Sequence, residues 1–260
     1  MPNVRYEELR PHQIVEAREA CPLAWLPVGG IEWHGEHNPV GVDTLGANAV
    51  AIRCAETLGG LRFPPLFYGE NREAYLMETN YDHGGGIKEK MALPEENFAP
   101  GYMGRSVQEQ DRAYLELLIH ILREIRSLGF PLTTIIAGHY PLRHHTTAAA
   151  EWFTIMCRPA RAWATSGFEL VRAENPDIGD HAGAWETSMM LATRPELVDL
   201  SRLPEEPDAT LIGVGGRDPR EHASAEFGEE GLALIVEAIT SRTARIAEEM
   251  GLSCASQSSQ

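Results

Sequence analysis

Residues 27–43 read PVGGIEWHGEHNPVGVD. Glu32, Glu36, Asp43, His34 and His37 crowd into this one segment, punctuated by glycine and proline. Carboxylates and imidazoles are costly to bury unless something compensates them. The segment leaves CPLAWLPVG (21–29), a short apolar run ending in glycines that reads as a buried strand. It enters DTLGANAVAIRCAETLG (43–59), where Leu45, Val50, Ile52, Ala55 and Leu58 fall at roughly helical spacing and Gly59 supplies a stop.

The same alternation continues outward. LRFPPLFYG (61–69) is a second strand whose prolines suit an edge or an exit loop. Residues 69–106 are polar and irregular, rich in Gly, Asn, Asp and Pro. VQEQDRAYLELLIHILREIRSLG (107–129) is a helix with an apolar stripe through Tyr114, Leu117, Leu118, Ile121, Leu122 and Ile125. FPLTTIIAGH (130–139) is a buried strand, residues 145–172 are helical in part, and 184–194 and 229–251 are helices. Strands alternating with helices predict a three-layer α/β/α sandwich with a mainly parallel sheet. One domain over 1–252 and a disordered tail over 253–260 are expected. In such folds ligands sit beyond the carboxyl ends of the strands. The opening cluster and His139 both lie there.

The formal charge of −16 repels phosphate backbones and anionic lipid, so neither nucleic acid nor a membrane is an expected partner. The N-terminal ten residues carry both signs of charge and do not read as a signal peptide. Cys21, Cys54, Cys157 and Cys254 are scattered without a C-x-x-C, which predicts reduced thiols and a cytoplasmic location.

Glu32 and His34, two apart on an extended segment, face one way while Trp33 faces the other. Asp43 opens a helix, His139 ends a later strand, and Glu186 follows His181 by five residues. Three carboxylates and two imidazoles suit Zn, Mn or Fe, and suffice for two ions if one carboxylate bridges them. Taken singly, each residue also has a plainer use: Glu32 as a helix cap, His34 as a loop histidine, Asp43 as an N-cap.

LPVGGIEWHGEHNPVGVDT (26–44) resembles the creatininase family signature L-P-x-G-(S/A)-x-E-q-H-G-x-H-L-P-x-x-x-D. AGHY, HAGAWETSMML and GRDPREHASAEFGEEG resemble the family's later signatures, in order, so the likeness runs from about Leu26 to about Gly231. The resemblance implies a two-metal hydrolase that opens cyclic amides or cleaves formamides. It implies Glu32, His34, Asp43 and His139 as ligands, Asp43 as the bridge, and His181 as the proton-transferring histidine. Glu186 matches the glutamate of the family's E-T-S motif. Some family members carry a glutamate ligand two residues past the strand histidine; here that position is Pro141, and Glu186 is the substitute, with His144 or His145 as the other candidates. The resemblance also implies a homo-oligomer, a hexamer built from dimers.

Asn38 stands where the signature has leucine and is expected to face substrate, with Tyr140 and Trp185 as further substrate contacts. Glu70 and Arg72, in YGENREAY (68–75), serve either substrate or solvent. No G-x-S-x-G, Walker A or H-E-x-x-H pattern occurs, and GVGG (213–216) is too short for a dinucleotide fingerprint. The expected activity is attack of a metal-activated water on the carbonyl of a small polar cyclic amide. Two alternatives stand beside it: C–C hydrolysis of a cyclic keto-polyol of the inosose type, and a non-catalytic metal- or ligand-binding module.

Overall fold

The computed structural model describes residues 3–69, 86–99, 101–206 and 208–254. Among these, four strands form one all-parallel sheet: β1 (Leu23–Val28), β2 (Leu61–Arg62), β3 (Leu132–Ala137) and β4 (Arg161–Thr165), in the order β2-β1-β3-β4. The longer helices are α1 (Pro11–Ala20), α2 (Val42–Leu58), α3 (Val107–Ser127), α4 (Leu142–Met156), α5 (Ala184–Thr193) and α6 (Ala225–Glu249).

Alternate residues of the central strands serve opposite faces. Leu23, Trp25, Leu132 and Ile136 join the core under α2, α5 and α6, while Ala24, Leu26, Val28, Ile135 and Ala137 join the core under α3 and α4. With both faces covered, the inner strands β1 and β3 are buried throughout and carry apolar side chains toward both cores. The expected three-layer α/β/α architecture is what the chain adopts.

Local chemistry explains several boundaries. Ser106 accepts from Glu109 N at 3.3 Å, and the Glu109 carboxylate accepts from Ser106 N at 2.9 Å, a reciprocal cap that starts α3 where the apolar stripe begins. The strand expected over 61–69 shrinks to two residues because Pro64 and Pro65 have no N–H for the ladder. It does take the edge position those prolines suggested. The reading of 145–172 as partly helical holds over the short 3-10 helix Phe168–Leu170 and, for the longer helix, up to Met156. Beyond it lies β4, a five-residue edge strand too short to announce itself. Helix α6 begins at Ala225, four residues before the expected start, capped by Ser224 accepting from Phe227 N at 3.1 Å.

The cysteine expectation is corrected. Cys21, at the entrance to β1, is disulfide-bonded to Cys254, with 4.3 Å between Cα atoms, while Cys54 and Cys157 are free and buried. The pair is 233 positions apart, and only the packing of α6 against α2 beside β1 brings its ends together. It also takes away the case that reduced thiols made for a cytoplasmic location. Ser253 and Cys254 are thus placed, and the rest of the expected tail lies outside the described residues. No described helix is long and apolar enough to cross a membrane.

Candidate metal centre

The segment after β1, the start of α2 and the end of β3 meet at the carboxyl edge of the sheet. Two glycines allow it. A Cβ on Gly29 would lie 2.6 Å from Thr44 N, and one on Gly138 would lie 1.9 Å from Asp43 O, so only glycine lets the first turn of α2 rest against the ends of β1 and β3. Asp43 is thereby wedged between the two strand ends. It is not a helix cap: Gly41 holds that position, and the Asp43 carboxylate turns to the histidines instead.

Asp43 Oδ1 lies 3.2 Å from His34 Nε2, and Oδ2 lies 3.2 Å from His139 Nδ1. Glu32 Oε2 is 2.8 Å from His139 Nδ1, and Glu186 Oε2 is 3.4 Å from His34 Nε2. His34 Nδ1 contacts the Glu32 carbonyl at 3.0 Å; because a carbonyl only accepts, Nδ1 donates, and Nε2 is the nitrogen that faces the carboxylates. Three donor triads of metal-binding size result: Glu32–Asp43–His139, His34–Asp43–Glu186 and Glu32–His34–His181.

The electrostatics call for a cation. Burial alone would push His34 down, but Asp43 and Glu186 outweigh it and hold it up at about 10. Burial would raise Asp43, yet His34 and His139 keep it well below the usual carboxylate range. Burial raises Glu32, with His139 2.8 Å away opposing. Burial also raises Glu186 to about 8, with His34 opposing and Asp43 and Asp180 reinforcing. A proton on His34 is therefore standing in for positive charge. Both Glu32 carboxylate oxygens, His34 Nε2 and Asp43 Oδ2 are buried without a hydrogen bond among the described residues. Orphaned buried donors of this kind, all oxygen and imidazole nitrogen, fit borderline divalent ions.

His181 sits beside this group. Its Nε2 donates to the Trp33 carbonyl at 2.9 Å, its Nδ1 lies 3.9 Å from Glu32 Oε2, and its ring is 4.5 Å from that of His34. The main chain of His181 pairs with Gly215, and Trp33 Nε1 donates to Ile212 O, so the GVGG stretch is a buttress for the site. Asp180 is the residue before His181. Its carboxylate accepts from Trp185 N and Glu186 N and anchors the start of α5.

Of the other candidates, His145 is bound to Asp111 at 3.1 Å and His144 is exposed, so Glu186 rather than either histidine accompanies His34. Trp185 is buried and, with Phe168, lines a cavity of about 40 Å³ that Asp43 and Glu186 border. Tyr140 is exposed and packs on Phe168 with ring centres 5.4 Å apart. Asn38 is buried against His37 and Thr187, an internal network that sequence reading did not find. Glu70 and Arg72 lie outside the described residues.

A family model described as creatininase, creatinine amidohydrolase, matches residues 7–85 and 99–243. A creatinine amidohydrolase of Pseudomonas putida is 31% identical over 219 residues, covering 75% of this chain and 74% of that protein. A solved manganese creatininase superimposes with a TM-score of 0.69 at 25% identity, over 96% of this chain and 99% of that one. A mutant creatininase complexed with creatine gives a TM-score of 0.69 at 25% identity, over 95% and 99%.

Proposed function

The chain belongs to the creatininase family, and from that premise we propose that it is a metal-dependent amidohydrolase that opens a small, polar cyclic amide at a two-ion centre. One observation carries the two-ion reading: Asp43 aims one oxygen at His34 and the other at His139, both at 3.2 Å, so a single carboxylate belongs to two donor sets. In this reading Glu32, His139 and Asp43 would hold one ion, and His34, Glu186 and Asp43 would hold the other. Divalent ions bound there supply Lewis acidity toward a carbonyl and lower the pKa of water.

His181 is the proton carrier. Because Nε2–H is committed to the Trp33 carbonyl, Nδ1 holds the lone pair. Burial, with the charge of His34, pushes the ring down to about 3, so it is neutral at pH 7. Nδ1 takes a proton from the water that adds to the carbonyl and returns it to the ring nitrogen as the C–N bond breaks. The carboxylate and the amine so formed stay in one molecule, since the substrate was a ring. Trp185 walls the substrate side, and exposed Tyr140, packed on Phe168, is a further substrate contact.

The Glu32–His34–His181 triad favours a second use of the same imidazole, as a ligand. His181→Asn separates the two: a carrier's loss slows turnover by about 10²–10⁴-fold with metal content intact, whereas a ligand's loss lowers both. The keto-polyol alternative drew partly on Asn38, whose amide is here given to Thr187. A homo-oligomer, a hexamer, is part of the proposal; exposed Trp152, Ile155 and Met156 on α4 support a buried contact there, and sedimentation measures it.

The deciding experiment loads the chain with Mn or Zn, counts ions per chain, and offers creatinine, other cyclic amides, formamides and inososes. Two ions and an opened cyclic amide are expected. One ion or none, or turnover of inososes alone, overturns the proposal.

A further inference from the structure

The turn that carries His181 has an unusual backbone. Ala182, its neighbour, sits at φ 54°, a conformation that residues with a side chain seldom take and that persists only where surroundings impose it. The surroundings are specific. Ala182 N donates to Glu186 Oε2 at 2.7 Å, and Asp180 is anchored on the first turn of α5. That leaves the Ala182 carbonyl, which points to Thr187 Oγ1 at 3.4 Å and also takes a hydrogen bond from His37.

Thr187 is 0% exposed, His37 2% and Asn38 8%, so water does not compete for these groups. A carbonyl only accepts, so the Thr187 hydroxyl gives its proton to Ala182 O. Its oxygen then receives Asn38 Nδ2–H at 3.0 Å, and His37 Nε2 lies 2.9 Å from it. A donor into a hydroxyl polarises the bond it makes onward. His37 and Asn38 lie three and four residues after His34 in the chain, while Thr187 follows Glu186. The network therefore ties the segment that bears Glu32 and His34 to the segment that bears His181 and Glu186.

We propose that Thr187, backed by His37 and Asn38, is a positioning residue for His181, fixing the Ala182 turn so that Nδ1 keeps its place over Glu32. This rests on the reading of His181 as the proton carrier. It explains why polar Asn38 is buried where the family signature has leucine: its amide serves the hydroxyl of Thr187.

The test uses the full chain loaded with metal and creatinine as the probe. Thr187→Val removes the hydroxyl at constant shape, and Thr187→Ser restores it. The Val variant should lose about 10–100-fold in kcat, as a small misplacement of a reacting group does, with KM and metal content unchanged and with recovery in the Ser variant. Combined with His181→Asn, it should cost nothing more, because both changes act through one imidazole. Nitrogen-15 NMR of the His181 ring should show a single Nε2–H tautomer in the parent and a mixture in the Val variant. Unchanged kcat, a fall in metal content, additive losses, or a pure tautomer in the Val variant each overturns the proposal. Full turnover in His181→Asn refutes the carrier reading itself; a slow His181→Asn beside a full-speed Thr187→Val refutes only the positioning.

Discussion

Gly138→Ala puts one methyl group where the fold has no room for it. The added Cβ would lie 1.9 Å from Asp43 O and 2.5 Å from Asp43 C, both backbone atoms that no rotamer change can move. Ordinary contact begins at 3.4 Å, so the first turn of α2 and the end of β3 must part by about 1.5 Å. Metal–ligand bonds tolerate about 0.2 Å, and the displaced atoms belong to Asp43 and to the residue next to His139. The two 3.2 Å approaches of Asp43 to His34 and His139 cannot both survive. Overpacking of this kind costs about 1–3 kcal/mol, which lowers Tm by roughly 2–10 °C in a chain of this size. Metal affinity should fall at least about tenfold, as it does when the support of a ligand is disturbed. Metal content after desalting and thermal unfolding with and without chelator measure both effects. Gly215→Ala is the control, since its Cβ meets nothing nearer than 3.9 Å. A Gly138→Ala protein with parental metal content and Tm would show that the wedge does not set the site.

Glu186→Gln should lose one metal equivalent and keep the other, while His145→Ala, whose ring is held by Asp111, should lose none; the reverse pattern in metal analysis moves the second site to α4. In chelated protein, His34 is held up at about 10 and Glu186 at about 8. Groups raised on folding stabilise below their unfolded pKa and lose that contribution as pH rises through the folded value. Tm of chelated protein should therefore fall between pH 7 and pH 9.5, and added Zn should flatten the decline; a pH-independent Tm argues against a proton held on His34. Thiol counting should find no reactive cysteine in the native protein, two in denaturant and four after reduction, because Cys54 and Cys157 are buried, burial pushes the Cys54 thiol far up, and Cys21 is paired with Cys254. Four thiols without reductant would remove the disulfide.

Much of the centre was legible because its chemistry is local. Glu32, His34 and Asp43 lie within a dozen residues, and the glycines and prolines around them mark a turn after a strand. The start of α3 was equally readable, since Ser106 and Glu109 cap it within four residues. What escaped is long-range. Thr187 meets Asn38 across 149 positions, and the Gly215 pairing with His181 has no periodicity to betray it. Strand β4 is five residues long, and its neighbour β3 selects it rather than its own pattern. Glu186 was found through the E-T-S likeness alone; its distance to His34 is a property of how α5 packs on α2.

The Cys21–Cys254 bond joins positions near the two extremities of the described chain. Covalently, the molecule between them is a ring with short ends rather than a line. A protease that cuts any single peptide bond inside that ring produces no fragments: the nicked protein keeps its mass apart from one added water and runs as one band until a thiol is present. Cleavage at any exposed bond between the two cysteines is thus invisible without reduction, and the chain can be opened at one point without either piece being free to diffuse away.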